Sequence, residues 1–185
     1  MSMNTVEPIR NEKQIQKMKD YLKSQNIRDW LLFVMGCNTG LRISDLVSLR
    51  MSSIIDNRIY IREQKTGKER VLVLNKNVLE AISEYKSRIK YSPDTYIFKS
   101  RVGANRPITR AFAWSMLNQA ARKCGIKNKI GTHTLRKTFG YHAWKGGTPI
   151  EVLQRILNHS SQRITMVYLG INQDMIEEVY LNLNI

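Results

Sequence analysis

Apolar residues recur along this chain in two rhythms, and the switches between them mark out helices and one small sheet. Ile15, Met18 and Leu22 share one face of a helix that Asn11 is placed to cap and that runs to about Gln25. Residues 30–37 (W-L-L-F-V-M-G-C) are apolar almost all round, the mark of a central buried helix. Asn38-Thr39-Gly40 breaks it, and Ile43, Leu46 and Leu49 restart a short amphipathic helix. The rhythm then drops to two. Ile59 and Ile61 alternate with polar neighbours, as do Val71 and Val73, and K-T-G-K-E supplies the turn of a β-hairpin between them. Helical spacing returns over 76–90 through Val78, Leu79, Ile82 and Ile89, and Tyr96-Ile97-Phe98 is a short strand or extended piece. A helix over 109–124 is capped by Thr109 and stopped by Gly125. Further helices fit 133–145, 149–157, 161–168 and 173–183, punctuated by Gly146-Gly147-Thr148-Pro149. Residues 1–10 read as an extended leading segment, with Pro8 discouraging helix at Glu7. The pattern predicts a mainly α fold with a small antiparallel β-sheet, one domain over 11–171, and a C-terminal tail helix over 172–185.

Composition narrows the partners. The chain has 185 residues, 42% apolar and 24% charged, which is one globular domain with a real core. Its net charge of +15 points to a polyanion, DNA or RNA first and an anionic membrane surface second. The charge is uneven: residues 172–185 hold Asp174, Glu177 and Glu178 but no Lys or Arg, which leaves 30 basic against 12 acidic groups before them, a net of +18. An acidic tail on a basic body is suited to packing on protein rather than phosphate. Cys37 and Cys124, far apart and beside apolar residues, read as reduced core thiols; no zinc spacing or disulfide framework is present. The N-terminus lacks the apolar stretch of a signal peptide, and no apolar run approaches the ~20 residues of a membrane span. These features together predict a soluble, cytoplasmic protein without membrane partners.

Several side chains carry possible chemistry. Arg42 follows Gly40 in the first turn of a new helix, where free N–H donors and the helix dipole favour phosphate, and Asp45 is placed to orient a neighbour. Lys65 occupies the hairpin turn and could be held over a DNA groove, although from this segment alone a solubilising turn lysine is the preferred reading. His133 and Arg136, three apart, are neighbours on a helix face and could hold one phosphate. His142 has no arginine at that spacing and reads as structural, whereas His159 sits at a helix-to-helix corner and can point into a cleft. Eight tyrosines are present, and the residues alone leave Tyr141 and Tyr168 as equal candidates for a nucleophile.

Five motifs in order decide more than any one of them: G-L-R-I-S-D-L at 40–46, Q-K-T-G at 64–67, H-T-L-R at 133–136, L-N-H-S-S at 157–161 and V-Y-L-G at 167–170. Together, with nine residues from His159 to Tyr168, they resemble the tyrosine recombinases, the phage integrase family, over essentially the whole chain as that family's catalytic domain. The resemblance implies a site-specific recombinase acting on double-stranded DNA without metal or other cofactor. Tyr168 looks like the nucleophile, left joined to a DNA 3′ end; a free 5′ hydroxyl then attacks the phosphotyrosine. Arg42 and Arg136 would stabilise the pentacoordinate phosphate, and Lys65 would protonate the leaving 5′ oxygen. His133 would take the tyrosine proton, and His159 would donate a hydrogen bond to the phosphate.

The chain departs from the family pattern at Lys137, where a second His is frequent, and at Asn158, where Gly is favoured. It also has no room for the N-terminal helical domain with which most of these enzymes clamp DNA. It therefore reads as a naturally short recombinase or an excised catalytic half, and Met1 favours the first. The tail, with Ile176, Val179, Tyr180 and Leu183 at near-helical spacing, is expected to dock on a neighbouring subunit or on its own core, with self-association on DNA as a dimer or tetramer. Two rivals share the fold or the chemistry: a catalytically silent DNA-binding regulator and a type IB topoisomerase-like nicking-closing enzyme. The complete reactive set opposes the first, and the small size opposes the second.

Overall fold

Local capping chemistry sets most helix boundaries. The computed structural model describes residues 6–171, 177–178 and 180–183. Helix α1 (Glu12–Gln25) is capped by the Asn11 side chain, which accepts from the backbone N–H groups of Lys13 and Gln14. Helix α2 (Ile27–Thr39) starts earlier than the apolar run foretold, because Asn26 caps it through Arg28 N–H and the polar residues Arg28 and Asp29 complete its first turn. It ends at Gly40, whose φ of +62° is a left-handed conformation that glycine adopts without strain. Leu31, Leu32, Phe33 and Met35 are fully buried, so α2 is the central helix, packed against α1 and three later helices.

After α3 (Ile43–Val47) the chain forms a sheet of three antiparallel strands rather than two: β1 (Ile54–Ile55), β2 (Arg58–Arg62) and β3 (Glu69–Val73), in that order. Two residues are too few for β1 to show an alternation in sequence. Its turn is nevertheless made by Asp56 and Asn57, both at positive φ, as a tight hairpin turn requires. Tyr60 faces Val71 and Arg62 faces Glu69 across β2 and β3. Then follow α4 (Lys76–Ser87), α5 (Arg110–Lys123), α6 (Thr134–Lys145), α7 (Ile150–Ile156) and α8 (Gln162–Leu169). Thr109 caps α5 as foretold, accepting from Phe112 N–H. Tyr96-Ile97-Phe98 is not the strand or extended piece expected: Tyr96 makes an isolated bridge to Arg50, and Ile97 and Phe98 enter a turn with their side chains buried.

The apolar interior has two parts. The large one surrounds α2 and takes in α1, α4, α5 and the inner face of the sheet. The small one, Leu153, Leu157, Leu169 and Ile171, lies under α7 and α8. Helix α6 joins them, giving Leu135 to the first and packing Tyr141 and Trp144 on the second. Gly140 allows α6 and α8 to close, since a β-carbon there would stand 2.5 Å from Leu169 Cδ2. Most of the tail helix foretold over 173–183, including Ile176 and Val179, lies outside the described residues. Among the described residues no helix is long and apolar enough to cross a membrane.

Candidate active site

Two helix starts and three helix ends converge where the cores meet. Arg42 is the residue that opens α3, and His133 the one that opens α6. His133 therefore precedes its helix rather than lying within it, with Arg136 one turn further on. Arg136 is 3% exposed and donates to two backbone carbonyls, Gly40 O at the end of α2 and Leu157 O at the end of α7. Tyr168 lies in the last turn of α8, half-buried, with its hydroxyl 3.4 Å from His133 Nδ1. The His159 ring meets the Tyr168 ring edge-on at 4.9 Å between centroids. Five of the six residues singled out in the sequence thus form one cluster.

Lys65 is the sixth. It is exposed on the β2–β3 loop and makes no hydrogen bond or ion pair among the described residues. Its charge still reaches the cluster, because it helps to depress the pKa of His133. Tyr141, the rival tyrosine, lies elsewhere: it stacks on Trp144 and under the Arg10 guanidinium. His142 has the structural role expected of it, with Nε2 2.9 Å from Ile9 O.

Electrostatics sort the protonation states. Burial, then the charges of Arg136, Lys137, Arg42 and Lys65, push His133 down from its ordinary value. Burial, then Arg136 and Arg42, push His159 down to about 4. Both imidazoles are therefore neutral at neutral pH. Burial raises the Tyr168 phenol, and the charges of Arg136 and Arg42 offset only part of that rise. Burial also lowers Arg136 to about 10, which leaves it charged at physiological pH. Cys37, pushed up to about 12 by burial, has no thiolate to offer.

The His159 shift has a measurable consequence. A group that titrates lower when folded binds fewer protons in the native state, so the stability present above about pH 6.5 is lost as pH falls towards 4. The urea midpoint of the wild type is expected to fall through that window, and more steeply than that of His159→Asn. Parallel curves for the two proteins would refute the assignment. Glu63 does not interfere, since its window lies below pH 4.5.

Three residues complete the cluster that the sequence did not single out as reactive. Glu63 is buried and pairs with Arg42 and with Arg70. Its signal was present in the alternation, because Ile59, Ile61 and Glu63 occupy successive inward positions of β2 and its extension. Thr165 lies 3.1 Å from His159 Nδ1 through its hydroxyl. Lys137, nearly buried, holds its ammonium 5.0 Å above the Tyr168 ring, where the family pattern would have placed an imidazole. The other departure also finds its reason: Asn158 sits at φ +48°, a conformation that glycine favours and asparagine tolerates.

Comparison with known proteins agrees with this geometry. The model of the phage integrase family matches residues 10–175. The chain belongs to that family. This tyrosine recombinase is 43% identical over 179 residues to the probable integrase/recombinase YoeC of Bacillus subtilis, covering 96% of the chain and 97% of YoeC. A tyrosine recombinase of Pseudothermotoga lettingae is 30% identical over 91% of the chain, which spans 62% of that relative. The crystal structure of XerA recombinase shares the fold, with a TM-score of 0.80 at 23% identity, over 98% of this recombinase and 68% of XerA.

Proposed function

We propose that residues 11–171 are a catalytic domain that cuts and rejoins double-stranded DNA at a specific site through a covalent 3′-phosphotyrosine at Tyr168. The observation that carries this reading is the Tyr168 hydroxyl beside His133 Nδ1, within the charge field of Arg136 and Arg42. The phenolic oxygen attacks phosphorus, the bond from phosphorus to the 5′ oxygen breaks, His133 takes the phenolic proton, and Lys65 gives one to the leaving oxygen. Arg42 and Arg136 stabilise the non-bridging oxygens as charge builds on them. Phenol and imidazole ordinarily differ by about 3.5 pH units, about 5 kcal/mol. Both shifts in this site widen that gap. Proton transfer to His133 must therefore accompany attack rather than precede it.

His159 serves as a donor to the phosphate only from Nε2–H. The Thr165 hydroxyl bonds to Ser161 O and also lies beside His159 Nδ1. Turning that hydroxyl towards Nδ1 fixes the tautomer that donates.

The net charge of +15 supports a DNA partner and an affinity that falls steeply with salt. A DNA-acting enzyme of this kind is assigned to the cytoplasm. The tail beyond Ile171 is assigned to contacts between subunits assembled on DNA, in keeping with Tyr180, Leu181 and Leu183, which are 79, 84 and 65% exposed. Deleting residues 173–185 is expected to weaken self-association on DNA, as read by sedimentation. Unchanged association would place the tail's docking site on its own subunit.

The decisive experiment uses a pool of nicked duplexes with randomised arms around the nick. Incubation with the protein and separation on a denaturing gel is expected to yield a covalent protein–DNA band, whose sequence defines the site. No band from any member of the pool would refute the enzymatic reading and favour a DNA-binding regulator.

A further inference from the structure

We infer that Glu63 is a positioning residue that locks Arg42 and the Lys65 loop into one unit, so that both reach the same phosphate. The inference rests on the catalytic reading of Arg42 and Lys65 given above.

Glu63 is the first residue beyond β2, at the foot of the loop that carries Lys65. It is 1% exposed. Its Oε2 accepts from Arg42 Nη1 at 3.0 Å and from the Thr66 hydroxyl at 2.7 Å, and its Oε1 accepts from Arg70 Nη1 at 2.8 Å. The backbone of the same residue closes the loop: its N–H donates to Lys68 O at 2.9 Å, and its carbonyl accepts from Gly67 N–H at 2.8 Å. One carboxylate therefore grips an arginine on one side and the turn around Lys65 on the other. Asp45 adds a second tether, accepting from Gln64 N–H at 3.0 Å from within α3, the helix that Arg42 opens.

Stability alone does not account for this arrangement. Replacing a buried cluster of charges by apolar side chains is frequently neutral or stabilising, whereas fixed geometry is a use such clusters do serve. Burial raises the carboxyl, but hydrogen bonds from Arg70 and Thr66 and the charge of Arg42 take it down to about 2, so it is an anion at every working pH. An uncompensated anion would repel the phosphate it helps to seat. Arg70 removes that difficulty, since two guanidiniums on one carboxylate leave a net positive charge facing the cleft. Glu63 engages only Nη1 of Arg42, and no bond to Nε or Nη2 occurs among the described residues. The remaining edge of the fork stays open to a phosphate.

The test uses a nicked duplex recovered from the randomised pool, and the same duplex with sulfur in place of the leaving 5′ oxygen. A thiolate departs without being protonated, so the sulfur substrate bypasses Lys65 but still needs Arg42. Glu63→Gln keeps the size of the side chain and removes its charge. Its covalent-complex formation on the oxygen substrate is expected to slow by about 10²-fold, the scale of a 1 Å misplacement of a catalytic group. On sulfur, part of that loss is expected to return. Thr66→Val cuts the loop side alone, so its smaller loss is expected to return almost fully on sulfur. Equal losses for Glu63→Gln on both substrates would overturn the link to Lys65, and full recovery on sulfur would overturn the link to Arg42. An unchanged or faster rate would overturn the inference altogether. If Glu63→Gln does not fold, a Thr66→Val loss that sulfur fails to restore overturns it. A wild type without any covalent band would instead refute the catalytic reading itself, and this inference with it.

Discussion

Tyr168→Phe is expected to abolish covalent capture of DNA while leaving the fold and DNA affinity in place. The substitution removes one oxygen and keeps the ring, and the ring does the packing: it meets His159 edge-on and lies beneath the Lys137 ammonium. The hydroxyl lies 3.4 Å from His133 Nδ1 and also meets the Arg136 guanidinium, so its loss costs the fold about 1–2 kcal/mol. Chemistry loses its nucleophile, and removal of a nucleophile lowers turnover by factors on the order of 10⁴ to 10⁶. A denaturing gel should therefore show no band, and filter binding should return the wild-type affinity. Tyr141→Phe is the control and should form the band normally, because Tyr141 packs under Arg10, away from the cluster. A band that persists in Tyr168→Phe would remove Tyr168 from its role.

Arg136→Ala is expected to damage both rate and stability, unlike the change at Tyr168. The guanidinium has the largest charge influence on the Tyr168 phenol and, in the proposed reaction, would stabilise charge where the phosphate is attacked, an effect of about 10²- to 10³-fold per donor removed. It also holds Gly40 O and Leu157 O, which alanine leaves without a partner at a cost of about 1–3 kcal/mol each. For a chain of this size, the melting temperature should fall by roughly 5–15 °C, and cleavage by at least about 10³-fold. Arg136→Lys keeps a charge, but a single ammonium cannot reproduce the fork that spans both carbonyls, so most of the rate loss should remain. A thermal melt and a single-turnover cleavage assay separate the two effects. A variant that melts normally and cleaves slowly would place Arg136 in catalysis alone.

The sequence was most legible where one residue decides a boundary. Asn11 and Thr109 cap helices, and Gly40 ends one, because their side-chain oxygens or their freedom at positive φ act locally. The spacing of His133 and Arg136 also survived folding, although His133 proved to precede the helix. What was hidden depends on distance along the chain. Glu63 was overlooked because its partner Arg42 lies 21 residues away, and a charged residue in a strand extension ordinarily faces water. The start of α2 was missed because Arg28 and Asp29 look like linker, yet they bond to each other and are buried. Tyr168 could be told from Tyr141 only through motif order, since each occupies a helix beside apolar neighbours. The fold separates them: α8 aims one at His133, and α6 packs the other against Trp144.

The division of the interior into two cores puts the groups proposed to hold phosphate and those proposed to cut it on separate foundations. Arg42, the Lys65 loop and the Gly40 carbonyl stand on the large core, whereas His159 and Tyr168 ride on α7 and α8 over four fully buried apolar side chains. So small a core is expected to open locally at lower cost than the whole domain, with amides of α7 and α8 exchanging faster than those of α2. Any such opening would carry off Tyr168, His159 and one of the two carbonyls that steady Arg136. On the proposed mechanism, a chain with α7 and α8 lifted would therefore hold a phosphate without the group that attacks it.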